Sequence, residues 1–199
     1  ALLRDMETRG FCVLERLYSE QECAEMEQLL LEAIGGLEGL SDSGTRVLHP
    51  LLASAPGMAK FFTKREYLEV MEAIVHDDVH LAHSGALIND ERRDFGGWHH
   101  HTGWSEEGVT RVDSPGERAG SEATTHRFDR ILMNVYVSGS THQNGPLLVK
   151  PRACTDPDET ITASTLGEEW PEEQEVVLIP PGSAVIFDVG LAHGIRRPA

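Results

Sequence analysis

Trp98-His99-His100-His101 is the stretch on which the fold reading turns. It sits in a segment, Gly97 to Trp104, that reads as a strand, where successive side chains alternate between two faces. His99 and His101 then share one face and His100 takes the other. Two imidazoles on one face can grip a single cation. A third histidine, His193, lies far downstream, after the strand-like run Ala184-Val-Ile-Phe-Asp-Val-Gly190. A His-x-His pair plus a distant His predicts a metal site inside a β-barrel, with open coordination positions left for chemistry.

The pattern around this run is strand-rich. Val79 to Ile88, Arg130 to Val137, Leu147 to Lys150, Glu175 to Ile179 and Ala184 to Val189 read as strands. Gly96-Gly97, Asn144-Gly145-Pro146 and Pro180-Pro181-Gly182 read as turns between them. Upstream the chain reads as helical with one short strand. Leu2 to Arg9 is an amphipathic helix stopped by Gly10, and Phe11 to Leu14 a strand. Ser19-Glu-Gln-Glu22 and Thr63-Lys-Arg-Glu66 both read as capping boxes. The first opens a helix with Cys23, Met26, Leu29, Leu30, Ala33 and Ile34 on its buried face, ended by Gly35-Gly36; the second opens one through Leu68, Met71, Ile74 and Val75. Helices followed by many short strands predict a mainly β fold with flanking helices, a double-stranded β-helix of jelly-roll or cupin-like form. The expected organisation is one domain over 1–199, helical over 1–78 and a jelly roll over 79–199.

Composition narrows the function. The 199 residues are 40% hydrophobic, enough for a folded core. Seventeen basic against 33 acidic residues give a net charge of −16, which argues against non-specific binding to nucleic acid or an anionic membrane surface. No apolar run approaches the length of a membrane span, and the first residues lack a signal-peptide pattern. Cys12, Cys23 and Cys154 are scattered and odd in number, as in a cytoplasmic protein with reduced thiols.

Four motifs in order resemble the phytanoyl-CoA dioxygenase-like family of non-haem Fe(II), 2-oxoglutarate-dependent oxygenases. Gly10-Phe-Cys-Val-Leu14 with the Ser19-opened helix is similar to that family's start. Trp98-His99-His100-His101 falls where the family has Trp-His-x-Asp. Asn144-Gly145-Pro146-Leu147, with Val149-Lys150-Pro151 after it, and Pro181 to Asp188 ending at His193-Gly194, match the remaining two. The resemblance implies Fe(II) held by one face of its coordination sphere, with 2-oxoglutarate and O₂ in the open positions and a small-molecule substrate oxidised at a C–H bond. It makes His99 the first ligand and His193 the distal one.

Two departures stand out. His101 occupies the place of the family's carboxylate. Three neutral imidazoles leave the metal more electrophilic and suit Zn(II), Ni(II) or Cu(II) at least as well as Fe(II). Three-His iron sites also serve dioxygenases that use no oxo acid, so that alternative stays open, as does a non-catalytic metal-binding relative. Glu106, Glu107 or Asp113, in the polar segment Ser105 to Thr125, offers another source of a carboxylate; that segment reads either as a lid or as a solvated insertion. The second departure is the family's cosubstrate Arg, expected about ten residues past the distal His. Arg196 and Arg197 come too soon, and Ala199 ends the sequence. Arg197 is the candidate present; the other readings are an anchor in a further strand beyond Ala199 or a different mode of binding. Asn134 and Tyr136 share a strand face and are expected to hydrogen-bond cosubstrate or substrate if that face is inward. His80 and His83 read as core or surface histidines, and His49, His76, His126 and His142 as solvated ones.

Overall fold

A computed structural model of the chain describes residues 1–101, 131–156, 161 and 166–199. Helix α1 (Leu2–Arg9) ends at Gly10, whose φ of 76° is a left-handed conformation that costs a glycine little. Strand β1 (Phe11–Leu14) follows. Helix α2 (Glu20–Ile34) opens on the expected capping box: the Glu22 amide donates to Ser19 Oγ at 3.2 Å and the Ser19 amide to Glu22 Oε2 at 2.7 Å. Strand β2 (Thr45–Leu48), the short α3 (Leu51–Ser54) and α4 (Arg65–Val75) complete the N-terminal part. The remaining strands are β3 (Ala86–Asn89), β4 (Gly96–His99), β5 (Ile131–Tyr136), β6 (Leu147–Val149), β7 (Glu175–Val177), β8 (Ser183–Asp188) and β9 (His193–Ile195).

The strands form two main antiparallel sheets, in the orders β1-β8-β5 and β4-β9-β6-β7, with β2-β3 as a separate pair. Residues directly opposite each other share a face, so the registers fix what points where. In the first sheet Phe11 and Leu132 flank Phe187, and Val13 and Asn134 flank Val185. In the second, Val149 lies opposite His193, and Leu147 opposite Ile195. Phe11, Val185 and Phe187 pack in one buried cluster with Leu147, Val149 and Val177, so these faces of the two sheets enclose a common interior. Full burial of such side chains contributes roughly 1.5–3 kcal/mol each. The opposite face of the first sheet, Cys12 and Ile186, is covered by Met6 of α1 and Tyr67, Met71 and Ile74 of α4. This is the jelly-roll layout with flanking helices. Among the described residues the two sheets face each other without a strand shared between them.

Several expectations need correction. The second capping box does not form: Lys64 is the N-cap of α4 without a side-chain bond, and the Thr63 hydroxyl donates to the Lys60 carbonyl at 3.0 Å. A threonine whose own backbone is still turning cannot serve as cap. The strand expected over Val79 to Ile88 is reduced to β3, which pairs with β2, a strand whose four residues show no apolar alternation: Arg46 and Val47 are both exposed and Leu48 is buried. The strand read over Phe11 to Leu14 forms as β1, at the edge of the first sheet. His193 does not end the β8 run: the chain turns after Asp188 and starts β9 in the other sheet. Trp104, Glu106, Glu107, Asp113, the Ser105 to Thr125 segment, His126 and Arg130 lie outside the described residues. Among those described, no helix is long and apolar enough to cross a membrane.

Candidate metal centre

Strands β4 and β9 are neighbours, and His99 lies directly opposite His193. Their register slips between Gly96, opposite Ile195, and His99, so three steps on β4 match two on β9. That is a β-bulge, one extra residue in one strand. It lets Gly96 and His99 both face the interior. Trp98 instead faces outward, 1% exposed, in a cluster with Leu148 and Ala192. It stacks on Trp170 with ring centroids 4.3 Å apart, its amide donates to the Leu166 carbonyl at 2.9 Å and its indole to the Glu168 carbonyl at 2.8 Å. The outer side of β4 is thereby clamped while the inner side presents His99.

His101 lies just beyond β4, not within it. Its amide donates to the Val189 carbonyl at 2.7 Å, tying it to the turn between β8 and β9. That turn is itself fixed: the Leu191 amide donates to the Asp188 carbonyl at 2.9 Å and the Gly190 amide to Asp188 Oδ1 at 3.1 Å. Arg152 holds the same carboxylate at 3.3 Å. The outcome is the convergence expected from the sequence, reached by a bend and not by strand alternation alone. One ring nitrogen from each of His99, His101 and His193 lies within 4.8 Å of the others. His100 is not part of the group.

The donor set fits a cation. The carbonyl of Gly97 lies 3.0 Å from His99 Nδ1, and that of Leu191 lies 2.9 Å from His193 Nδ1. A carbonyl can only accept, so each Nδ1 carries the proton and each Nε2 keeps its lone pair for metal, the usual arrangement behind histidine ligands. Burial, with smaller effects from neighbouring histidines, depresses the pKa of His193 to about 3. Burial, then His99, His100 and His83, depresses that of His101 to about 4. Both rings are therefore neutral, the form that binds metal. The three nitrogens lie within 4.8 Å of one another, so metal bonds of about 2.1 Å need the rings to draw together. His193 is buried, His101 half-buried and His99 exposed, so the centre is reached from the His99 side.

Asn134 and Tyr136 lie on the inward face of β5, following Leu132, which pairs with Phe187. Phe187 in turn touches His193, with ring centroids 4.7 Å apart. The Asn134 side chain hydrogen-bonds to Tyr136, and burial drives the phenol's pKa upward, so it stays a neutral hydrogen-bonding group. Arg197 is exposed and paired with Asp94 at 3.6 Å, away from this interior. Arg196 is bound by Glu169 at 2.6 Å. The sequence reading passed over Arg93, just before β4, whose guanidinium turns back over Gly96. Its one signal in sequence was the neighbouring glycine pair, which leaves space for a long side chain. His83 stacks on His49 at 4.2 Å and acts on His101 from nearby, but is not one of the three converging histidines.

No family model matches the chain, and no curated protein sequence does. Solved structures share its fold. HygX from Streptomyces hygroscopicus, with nickel, 2-oxoglutarate and hygromycin B bound, is similar with a TM-score of 0.70 at 17% identity, over 99% of this chain and 80% of that one. EctD from S. alaskensis, with 2-oxoglutarate and 5-hydroxyectoine, has a TM-score of 0.62 at 20% identity, over 98% of this chain and 69% of that one. EvdO2 from Micromonospora carbonacea var. aurantiaca, complexed with 2-oxoglutarate, has a TM-score of 0.63 at 14% identity, over 98% and 82%. A further HygX structure holds iron. At these identities the likeness establishes the fold.

Proposed function

We propose that this chain is a non-haem Fe(II)- and 2-oxoglutarate-dependent dioxygenase of the phytanoyl-CoA dioxygenase-like kind, oxidising a C–H bond of a small molecule. The observation that carries the reading is the convergence of three histidines within 4.8 Å, in a fold shared with a protein solved with nickel and 2-oxoglutarate bound and also with iron bound. His99, His101 and His193 would hold the ion. Fe(II) bound there would couple the reduction of O₂ to oxidative decarboxylation of the oxo acid, giving succinate, CO₂ and an oxidised substrate.

The protein's own part is placement. The Gly97 and Leu191 carbonyls orient two of the rings, and the bond from His101 to Val189 fixes the approach of the third. Phe187, fully buried, lines the inner side of His193 and excludes water there. Tyr136 and Asn134 offer hydrogen bonds to a bound oxo acid or substrate from the facing sheet. Substrate enters from the exposed His99 side, which suits a small molecule better than a polymer lying across the surface. A cytoplasmic location belongs to the same proposal, supported by three buried free thiols.

Anaerobic addition of Fe(II) and 2-oxoglutarate is expected to produce a visible charge-transfer band, and admission of O₂ with substrate to release succinate. A protein that binds Fe(II) yet shows neither result does not work this way. The presence of His101 in the ligand group favours one second reading, a three-His dioxygenase that uses no oxo acid. It requires substrate-dependent O₂ uptake without succinate, so succinate formed in step with turnover eliminates it.

A further inference from the structure

We propose that Arg93 recognises a carboxylate held between the two sheets beside the histidine group: its guanidinium lies over Gly96 on the inward face, near Tyr136, with Nη1 buried and without a partner among the described residues. The proposal rests on the metal-centre reading and assigns a specific cation to the interior face beside it.

The placement follows from the bulge. Gly96 pairs with Ile195, and a side-chain carbon built on Gly96 would lie 3.6 Å from Ile195 Cβ and only 2.2 Å from Arg93 Nη2. Ile195 pairs with Leu147, a member of the interior cluster, so the space a side chain at position 96 would fill belongs to the interior. Arg93 occupies it. Ile195 is two residues along β9 from His193, a separation of about 7 Å. A short carboxylic acid with its other end at the histidines spans such a gap.

The energetics point the same way. A guanidinium is always charged, and burying one of its donors without an acceptor is costly, so the orphan is explained by a group that arrives with the ligand. Burial lowers the pKa of Arg93, and the neighbour that counters this is the Tyr136 phenol, not a carboxylate. Several other arginines have a carboxylate partner: Arg92 with Asp90, Arg152 with Asp188 (its Nε is also buried without a hydrogen bond), Arg196 with Glu169 and Arg197 with Asp94. The Arg93 guanidinium and the Tyr136 phenol interact and both can donate, which suits the two oxygens of a carboxylate. The carboxylate has two possible sources, the far end of an oxo acid or the substrate.

The test uses the full chain loaded with Ni(II), which binds ligands without turnover, titrated calorimetrically. Nickel binding is read first, and its absence refutes the metal-centre reading itself. With nickel bound, 2-oxoglutarate is compared with 2-oxobutyrate, which has the same oxo-acid head and no far carboxylate. If Arg93 takes the far end, wild type prefers 2-oxoglutarate by about 10- to 100-fold, the scale of a charge-assisted pair. R93Q loses that preference with 2-oxobutyrate affinity intact, R93K recovers part of it, and G96A, which displaces the guanidinium without removing it, resembles R93Q. If the substrate supplies the carboxylate, the preference survives in R93Q, and propionate or butyrate added over the nickel–oxo acid complex binds wild type at least tenfold tighter than R93Q. Nickel affinity within about threefold of wild type in every variant shows that the fold is retained. Nickel-loaded protein in which neither carboxylate series responds to R93Q and G96A overturns the proposal.

Discussion

Replacing Trp98 separates the two faces of β4, because its neighbour His99 faces the metal centre while Trp98 faces away. Trp98→Phe keeps an aromatic ring against Trp170 but removes the indole N–H from the Glu168 carbonyl. The lost bond is worth about 1 kcal/mol, more where the carbonyl is left dry. The ring also gives up roughly 40 Å² of buried apolar surface, about another 1 kcal/mol. Expected destabilisation is therefore about 2 kcal/mol for Trp98→Phe. Trp98→Ala opens a cavity as well and forfeits the stacking, for about 3–5 kcal/mol. Urea unfolding of metal-free protein measures both, and nickel titration of the same samples measures the site. Trp98→Phe should leave nickel affinity within about threefold of wild type, since the His99–Gly97 and His193–Leu191 contacts that orient the ligands are on the other side of the strand. If Trp98→Phe kept its stability while losing nickel, the indole would face the metal, and the bulge between Gly96 and His99 would be misplaced.

Three further outcomes are expected. His101→Asp should retain metal, and with Fe(II) raise succinate formation relative to wild type, because a carboxylate ligand restores the charge that three imidazoles leave on the ion; lower turnover than wild type would show that His101 itself is the working ligand. Metal-free protein should lose stability as pH falls from about 6.5 toward 3: His101 and His193 stay neutral when folded down to about 4 and 3, whereas unfolded histidine takes a proton near 6.5, so the unfolded state binds more protons across this window. His193→Gln should flatten that dependence in urea midpoints measured from pH 7 to 4, and an unchanged slope would count against the buried neutral ring. Cys12, its thiol pushed up to about 12 by burial and by Asp5, should react with a thiol reagent only at the rate of unfolding; labelling of the native state within seconds would contradict its packing under α1.

The convergence of three histidines was legible in sequence because histidines in a strand context carry both a period and a chemistry. Strand alternation selected His99 and His101 over His100, and the Ser19 capping box and the glycine stop at Gly10 had equally local causes. The misses are non-local. The turn at which the chain leaves β8 has a local part, the Gly190 and Leu191 amides on Asp188, and a non-local one, Arg152 from beyond β6 on the same carboxylate, which no window near His193 contains. The bulge in β4 exists only relative to β9, so no window along β4 contains it. Thr63 shows the converse: its Thr-x-x-Glu spacing is right, yet the Lys60 carbonyl claims its hydroxyl first.

The same bulge ties the oddest ligand to the unmatched arginine. A family-like carboxylate at position 101 would leave an Fe(II) centre with one net positive charge; His101 leaves it with two. Among the described residues no Asp or Glu belongs to the three-histidine group, so the remaining neutralisation must come with whatever binds. Arg93 adds a further, half-buried positive charge roughly two residues along the sheet. An oxo acid with two carboxylates brings two negative charges, one end for the ion and one for the guanidinium, and in a low-dielectric interior both attractions exceed their values in water. Exchange of the ligand carboxylate for a histidine therefore does not by itself disfavour a dianionic cosubstrate; on charge alone it strengthens its hold. Preference for 2-oxoglutarate over 2-oxobutyrate should then shrink when His101→Asp reduces the charge of the centre, and vanish when Arg93→Gln is added. If His101→Asp instead strengthened binding of both acids equally, geometry at the ligand position, and not charge, would govern which acid the site accepts.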